Sequence, residues 1–261
     1  MKNLRFILLL LKLRLSHMMV FRLSFFGAFF ADGTLFLMQL LSFSVIYGQV
    51  DAIGGWSRGQ MLVFVGTFSM INAINMTVYF FGLINIPELI RGGGLDLYIT
   101  KPVNPLFRLT FENADPGSVP LLCLSGAIIA YGLSVEGAPL TAPLIAGYVA
   151  FVLIMTLLYY DMELILRTIP FFVISAAAID RLEGDLLTLN FKIPGIIYKG
   201  GFKILFYFIM PYGIMATVPT QFVTKTLTPA GLVHAVCAAA LFTVFALWFW
   251  RFGLKHYKSA M

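Results

Sequence analysis

The stretch from Ile86 to Phe107, IPELIRGGGLDLYITKPVNPLF, gathers most of the chain's capacity for polar chemistry into one place. A glycine run beside a lysine could cradle phosphate. The nucleotide-binding form GxxxxGK[ST], however, needs a lysine and a hydroxyl at fixed offsets, and Gly92 to Gly94 are followed by LDLYITK. Nucleotide binding by this chain is therefore not expected. No HExxH zinc signature and no GxSxG elbow is present. His17, His234 and His256 are far apart, and Cys123 and Cys237 both fall inside apolar runs, where they make neither a disulfide framework nor a metal knuckle. The sequence offers no catalytic constellation, no metal and no cofactor of its own.

The other polar groups worth weighing sit inside apolar segments. Asp32 and Gln39 lie in the first, where a charge is costly unless it is paired or faces a wet cavity. Asp32 reads either as a functional group or as a helix-packing partner near an interface. Asn72, Asn75 and Tyr79, at i, i+3 and i+7, share a helical face. They read either as hydrogen bonds between helices or as a polar stripe lining a translocation path. Asp161 and Glu163 precede Arg167, with which either could pair one turn on, an arrangement expected where a span ends at the interface.

The elements that must position these groups follow from composition. Hydrophobic residues make up 60% of the chain, charged residues 11%, and the mean hydropathy is +0.91. An ordinary soluble domain carries about 25% charged residues. The 261 residues thus form a single all-α integral membrane domain of about six spans, each about 20 residues long. The spans are placed at Leu23–Tyr47, Met61–Leu83, Ala114–Val135, Ala142 to Tyr159 or Tyr160, Phe202–Val218 and Ala230–Phe252. Residues 1–22 carry Lys2, Arg5, Lys12, Arg14 and Arg22 among leucines, which suits an interfacial helix or a simple lead-in to the first span.

The ambiguous piece is Ile169–Ile179, eleven apolar residues, too short to cross. If it does not cross, every lysine and arginine except Arg58 and Lys225 falls on one side. The positive-inside rule therefore prefers six spans with both termini cytoplasmic. Residues 168–201 then form a cytoplasmic or interfacial connector, with a helix broken at Pro194. The net charge of +6 reflects this sidedness, and no nucleic-acid partner is expected.

In that topology residues 86–108 are a cytoplasmic loop between the second and third spans. Pro87 suits a first helical turn, and Glu88 suits its positive end. Glu88 and Arg91 stand at i, i+3. The three glycines weaken a helix by about 1 kcal/mol each, implying a bend or a close backbone approach. Pro102 and Pro105 favour an extended exit.

These residues resemble a known family. The order of arginine, glycine, Leu-Asp and Lys-Pro-x-Asn-Pro-Leu in IRGGGLDLYITKPVNPLF is similar to the signature loop of permease subunits of bacterial type-2 ABC exporters. GGWSRGQML and KIPGIIYKGGFKILFYFIMPYGIMATVP are also similar, so the likeness covers most of the chain. It departs at the triple glycine, where a single glycine is usual.

The resemblance implies a multi-pass subunit of the cell inner membrane, surrounded by lipid, that pairs with a second permease, identical or related, and with two ATPase subunits. ATP and magnesium would be bound on those partners. It also implies a coupling helix in this loop, carried by Glu88, Arg91, Gly94, Leu95, Asp96, Lys101, Pro102, Asn104 and Pro105, and export of a hydrophobic or amphipathic substrate. The rival readings are an intramembrane enzyme using Asp32, Asp161 or Glu163, and a scaffold or secondary transporter without an ATPase, which should show inverted repeats.

Overall fold

The computed structural model describes residues 22–137, 139–173 and 177–257. The expected interfacial helix at 1–22, apart from Arg22, lies outside them, as do His17 and the side chain of Asp32. Among the described residues every element is helical, and the one β-bridge, Ile53 with Trp56, is isolated. Helix α1 (Arg22–Ile46) coincides with the first expected span. Helix α2 (Arg58–Asn75) is capped by a reciprocal pair: Gln60 N donates to Ser57 Oγ, and Ser57 N donates to Gln60 Oε1, each at 3.1 Å. It continues through a π-helical turn (Met76–Phe80) and a short turn (Phe81–Leu83) into α3 (Ile86–Arg91).

Helices α4 (Asp96–Ile99) and α5 (Pro105–Glu112) complete the second loop. Then come α6 (Val119–Glu136), entered through a 3-10 turn at Pro116–Ser118, and α7 (Ala142–Thr168), extended by another at Ile169–Phe171. Helix α8 (Ala177–Lys192) precedes the short α9 (Gly200–Ile204), which runs on as a π-helical stretch to Ile209, and then α10 (Tyr212–Met215) and α11 (Thr217–Val223). Helix α12 (Pro229–His256) closes the chain as described.

Four of these segments are long and apolar enough to cross a membrane: Arg58–Arg91, Pro116–Glu136, Ala142–Phe171 and Pro229–His256. The expected fifth span at 202–218 is not straight. Gly200–Ile209 and Tyr212–Val223 meet at 78°, and counting them as one span would make five. The break falls at Pro211, which has no N–H to continue the ladder.

Helices α2, α7 and α12 run in the same direction. Thr67 meets Tyr148 near the start of the first two at 2.7 Å, and one core cluster gathers Leu83, Leu164 and Trp250 at the far ends of all three. Helix α6 runs back against α2, so that Ser57 Oγ donates to Glu136 Oε2 where the two meet. Among the described residues this is the most extensively packed pair of helices. Its closeness rests on two glycines: a Cβ on Gly66 would stand 2.7 Å from Ile129 Cγ1, and one on Gly132 would stand 2.9 Å from the backbone nitrogen of Val63.

One expectation needs correction. The fourth span does not end at Tyr159 or Tyr160. It runs to Thr168, with Asp161, Glu163 and Arg167 each no more than 3% exposed, because all three find partners on other helices. Residues 168–201, expected as a cytoplasmic or interfacial connector, contact the other helices at several levels. Arg167 binds Glu183 at 2.6 Å near the end of α7, Phe191 stacks on Phe68 at 4.9 Å, and Ile196 and Ile197 close over Gly54 in the loop that precedes α2. Helix α8 carries Arg181, Asp185 and Lys192 on an exposed side. It ends before Pro194.

Replacing Gly132 by valine would force α2 and α6 apart. A loss of about 1–3 kcal/mol is expected, read as an earlier unfolding transition of the detergent-solubilised protein, with Gly184→Val as the control at a position whose Cβ meets open space.

Candidate functional site

The loop from Ile86 to Glu112 folds as a platform at the end of the bundle where α2, α7 and α12 finish. Pro87 stands in the first turn of α3, whose one and a half turns end at Gly92, where Gly92 N donates to Glu88 O at 2.8 Å. Gly93 adopts φ +72°, a left-handed turn that a side chain would strain, and this lets Leu95 N return to Leu89 O at 3.1 Å. The glycine run therefore divides the expected coupling helix into two short helices, α3 and α4. The exit also differs from expectation. Asn104 Oδ1 accepts from Leu106 N at 2.9 Å and Phe107 N at 3.3 Å, and Pro105 occupies the first turn, so the chain starts α5 in place of an extended return.

One residue anchors this platform. Leu95 is fully buried, in a cluster with Tyr79, Leu83, Ile86, Leu106, Leu109, Leu164, Ala246 and Trp250. The platform is thus seated on the ends of α2, α7 and α12 together. Arg108 ties α4 to α5: its guanidinium stacks on the Tyr98 ring at 4.5 Å and pairs with Glu112 at 2.9 Å. Burial, and then the Glu112 carboxylate, raise the Tyr98 phenol above its ordinary pKa. Asp96 lies against the end of α12, where burial and its negative charge raise the Tyr257 phenol.

The remaining expected residues face outward. Glu88, Arg91, Lys101, Pro102 and Asn104 are exposed, while Asp96 and Pro105 are half-buried. Gly94 packs under Leu89. Arg91 Nε donates to Pro87 O at 3.2 Å, holding the guanidinium along α3. Sequence reasoning missed Leu97 and Ile99, which are 66% and 42% exposed beside these charges. In DLYI an apolar residue that faces outward carries no mark distinguishing it from one that faces in. An exposed apolar tip within a charged rim, on a rigid seat, is the composition of a protein-docking surface.

The three expected path residues do not form one lining. Asn75, 1% exposed, donates through Nδ2 to Glu163 Oε1 at 3.1 Å, and Tyr79 donates through its hydroxyl to Thr156 O at 3.1 Å, so both hold α2 to α7. Asn72 faces a separate cavity toward α1 and α8. Asp161 and Glu163 do not converge either: Asp161 accepts from Thr243 on α12, and Glu163 is turned to α2. Among the described residues no group of His, Cys, Asp and Glu is placed to hold a metal ion.

The Arg167–Glu183 pair, 4% exposed on each side, joins α7 to α8. Glu183→Leu leaves the guanidinium without that carboxylate and is expected to cost about 3–5 kcal/mol, whereas adding Arg167→Met should recover most of the loss. Thermal unfolding of the two variants in detergent checks both expectations.

Comparison with curated proteins and with solved structures returned no match. A family model described as ABC-2 family transporter protein matches residues 34–261, which takes in the platform and all the long helices apart from the start of α1. The chain belongs to the ABC-2 family of transporter proteins, as a membrane permease.

Proposed function

We propose that this permease is the transmembrane half of an ATP-driven exporter, moving a hydrophobic or amphipathic substrate with energy from two ATPase subunits that dock on the platform. The observation that carries this reading is the platform's construction. Leu97 and Ile99 project beside Glu88, Arg91 and Lys101, while Leu95 fixes the same loop in a core shared by α2, α7 and α12. A push delivered there reaches three long helices at once. ATP binding on the partners would draw two such platforms together and shift the bundle between two conformations.

The topology supporting this reading has six spans: α1, the helix from Arg58, α6, α7, α8 with the segment to Ile197, and α12. The bent α9 to α11 is then a re-entrant element on the outer side. The platform end carries Arg91, Lys101, Arg108, Arg167, Arg181, Arg251 and Lys255, against Arg58, Lys199, Lys203 and Lys225 at the other, so the positive-inside rule makes it cytoplasmic. In a single chain, Arg181 and Asp185 form a short exposed stripe at i and i+4 along α8. Such a stripe at membrane depth needs water or protein against it, which a second permease of the same or related kind would provide.

The rival enzyme reading needs carboxylates converging at one depth, and Asp161 and Glu163 are engaged on different helices. An ATPase-free secondary transporter leaves the docking surface without a use.

Two measurements test the proposal. Arg91→Glu and, separately, Leu97→Asp should lower ATP-driven transport by the reconstituted complex at least about tenfold, a loss of about 1.4 kcal/mol or more at a docking hot spot, without loss of membrane insertion. Unchanged transport in both would refute the docking role. In a background without Cys123 and Cys237, Lys199→Cys should react with a membrane-impermeant maleimide from the side opposite Lys101→Cys. Labelling of both from one side would return 168–201 to a cytoplasmic connector.

A further inference from the structure

Between α1, α2 and α8 lies a cavity of about 450 Å³, within the range of small-molecule sites. Its walls carry Gln39, Ser42, Ser69, Asn72, Thr188 and Lys192, set among the rings of Phe36, Phe68 and Phe191.

Its depth follows from neighbours. Phe68 is ten residues past Arg58, or about 15 Å along the helix, and Phe191 stacks on it while its carbonyl accepts from Gln39 Nε2 at 3.4 Å. Lys192 follows directly and has no carboxylate within ion-pairing distance among the described residues. Asp185 lies two turns away along α8, at another level of the same face. Ser69 and Asn72 make no side-chain hydrogen bond with described residues, although Ser69 is only 5% exposed. A lysine at the cavity wall and unspent hydrogen-bonding groups beside aromatic rings at this depth are costly unless something answers them.

We propose that this cavity is a cargo site for an anionic amphiphile. The carboxylate, sulfate or phosphate head would lie against Lys192, with Asn72, Ser69 and Thr188 completing its hydrogen bonds, and the apolar body would lie against Phe36, Phe68 and Phe191. The site lies in the wall of one protomer, so it needs no residue from a second copy. The assignment of the occupant as cargo rests on the exporter reading, and it names the charge class that the reading leaves open.

The test uses the full chain in phosphatidylcholine nanodiscs and two probes that differ only in the head: dodecanoate and dodecyl-trimethylammonium, each labelled with NBD at the tail. The carboxylate probe is expected to bind saturably and at least about tenfold more tightly than the cation. Lys192→Gln should remove that preference, and Lys192→Arg, which keeps the charge, should hold affinity within about threefold. Equal binding of the two probes, or an unchanged preference in Lys192→Gln, would overturn the proposal. Complete displacement of the carboxylate probe by added phosphatidylglycerol would also overturn it, because the site would then belong to lipid headgroups. Reconstitution with the ATPase partner in sealed phosphatidylcholine vesicles separates the two claims: binding without ATP-driven movement of the probe across the membrane leaves the anion site standing and removes the exporter reading, whereas movement without the charge preference does the reverse.

Discussion

Three polar contacts made by one stretch of α7 hold the bundle in its arrangement. Asp161 reaches Thr243 on α12, Glu163 reaches Asn75 on α2, and Arg167 reaches Glu183 on α8. Between helices in lipid there is little hydrophobic drive, because acyl chains are as apolar as leucine, so packing and interhelical polar contacts set the partners. A buried polar group allows few alternatives, since separation leaves it unsatisfied in a medium that cannot solvate it. Much of the order of the helices around α7 therefore follows from the identities of residues 161, 163 and 167.

The platform inherits this order. Tyr79 and Leu83 at the end of α2, Leu164 on α7 and Ala246 and Trp250 on α12 converge on Leu95, so that loop and bundle share one core cluster. The rim of the platform is free to be charged because its inner face is not. A connector with the same charges but no buried leucine would lack this tie to the bundle.

Much of this was legible in the sequence, for reasons specific to each part. Long apolar runs marked α2, α6, α7 and α12 because backbone groups in lipid must be satisfied within the helix. The platform's residues were legible through Leu-Asp and Lys-Pro-x-Asn-Pro-Leu. The end of α7 was not, because Asp161, Glu163 and Arg167 look like an interface when their partners on α2, α8 and α12 are unknown. The packing of α8 was hidden for a related reason: its exposed polar side lowers hydropathy, while Leu186 and Phe191 supply its contacts. The three polar residues of α2 shared a face by spacing, yet Asn72 was separated from Asn75 and Tyr79 by which neighbour lies beside each, and that is a property of the assembled bundle.

The π-helical turn at Met76–Phe80 sits between the part of α2 that packs on α6 and the part that leads to the platform. A π turn holds more residues than the α-helical turns around it. It therefore acts as a phase shifter: everything beyond it is rotated about the helix axis relative to everything before it. The angle at which Glu88 and Arg91 point is in this sense counted out by the backbone, independently of the side chains that pack α2 against its neighbours. Packing chemistry and platform orientation are separate variables in this chain, and one can change while the other is kept.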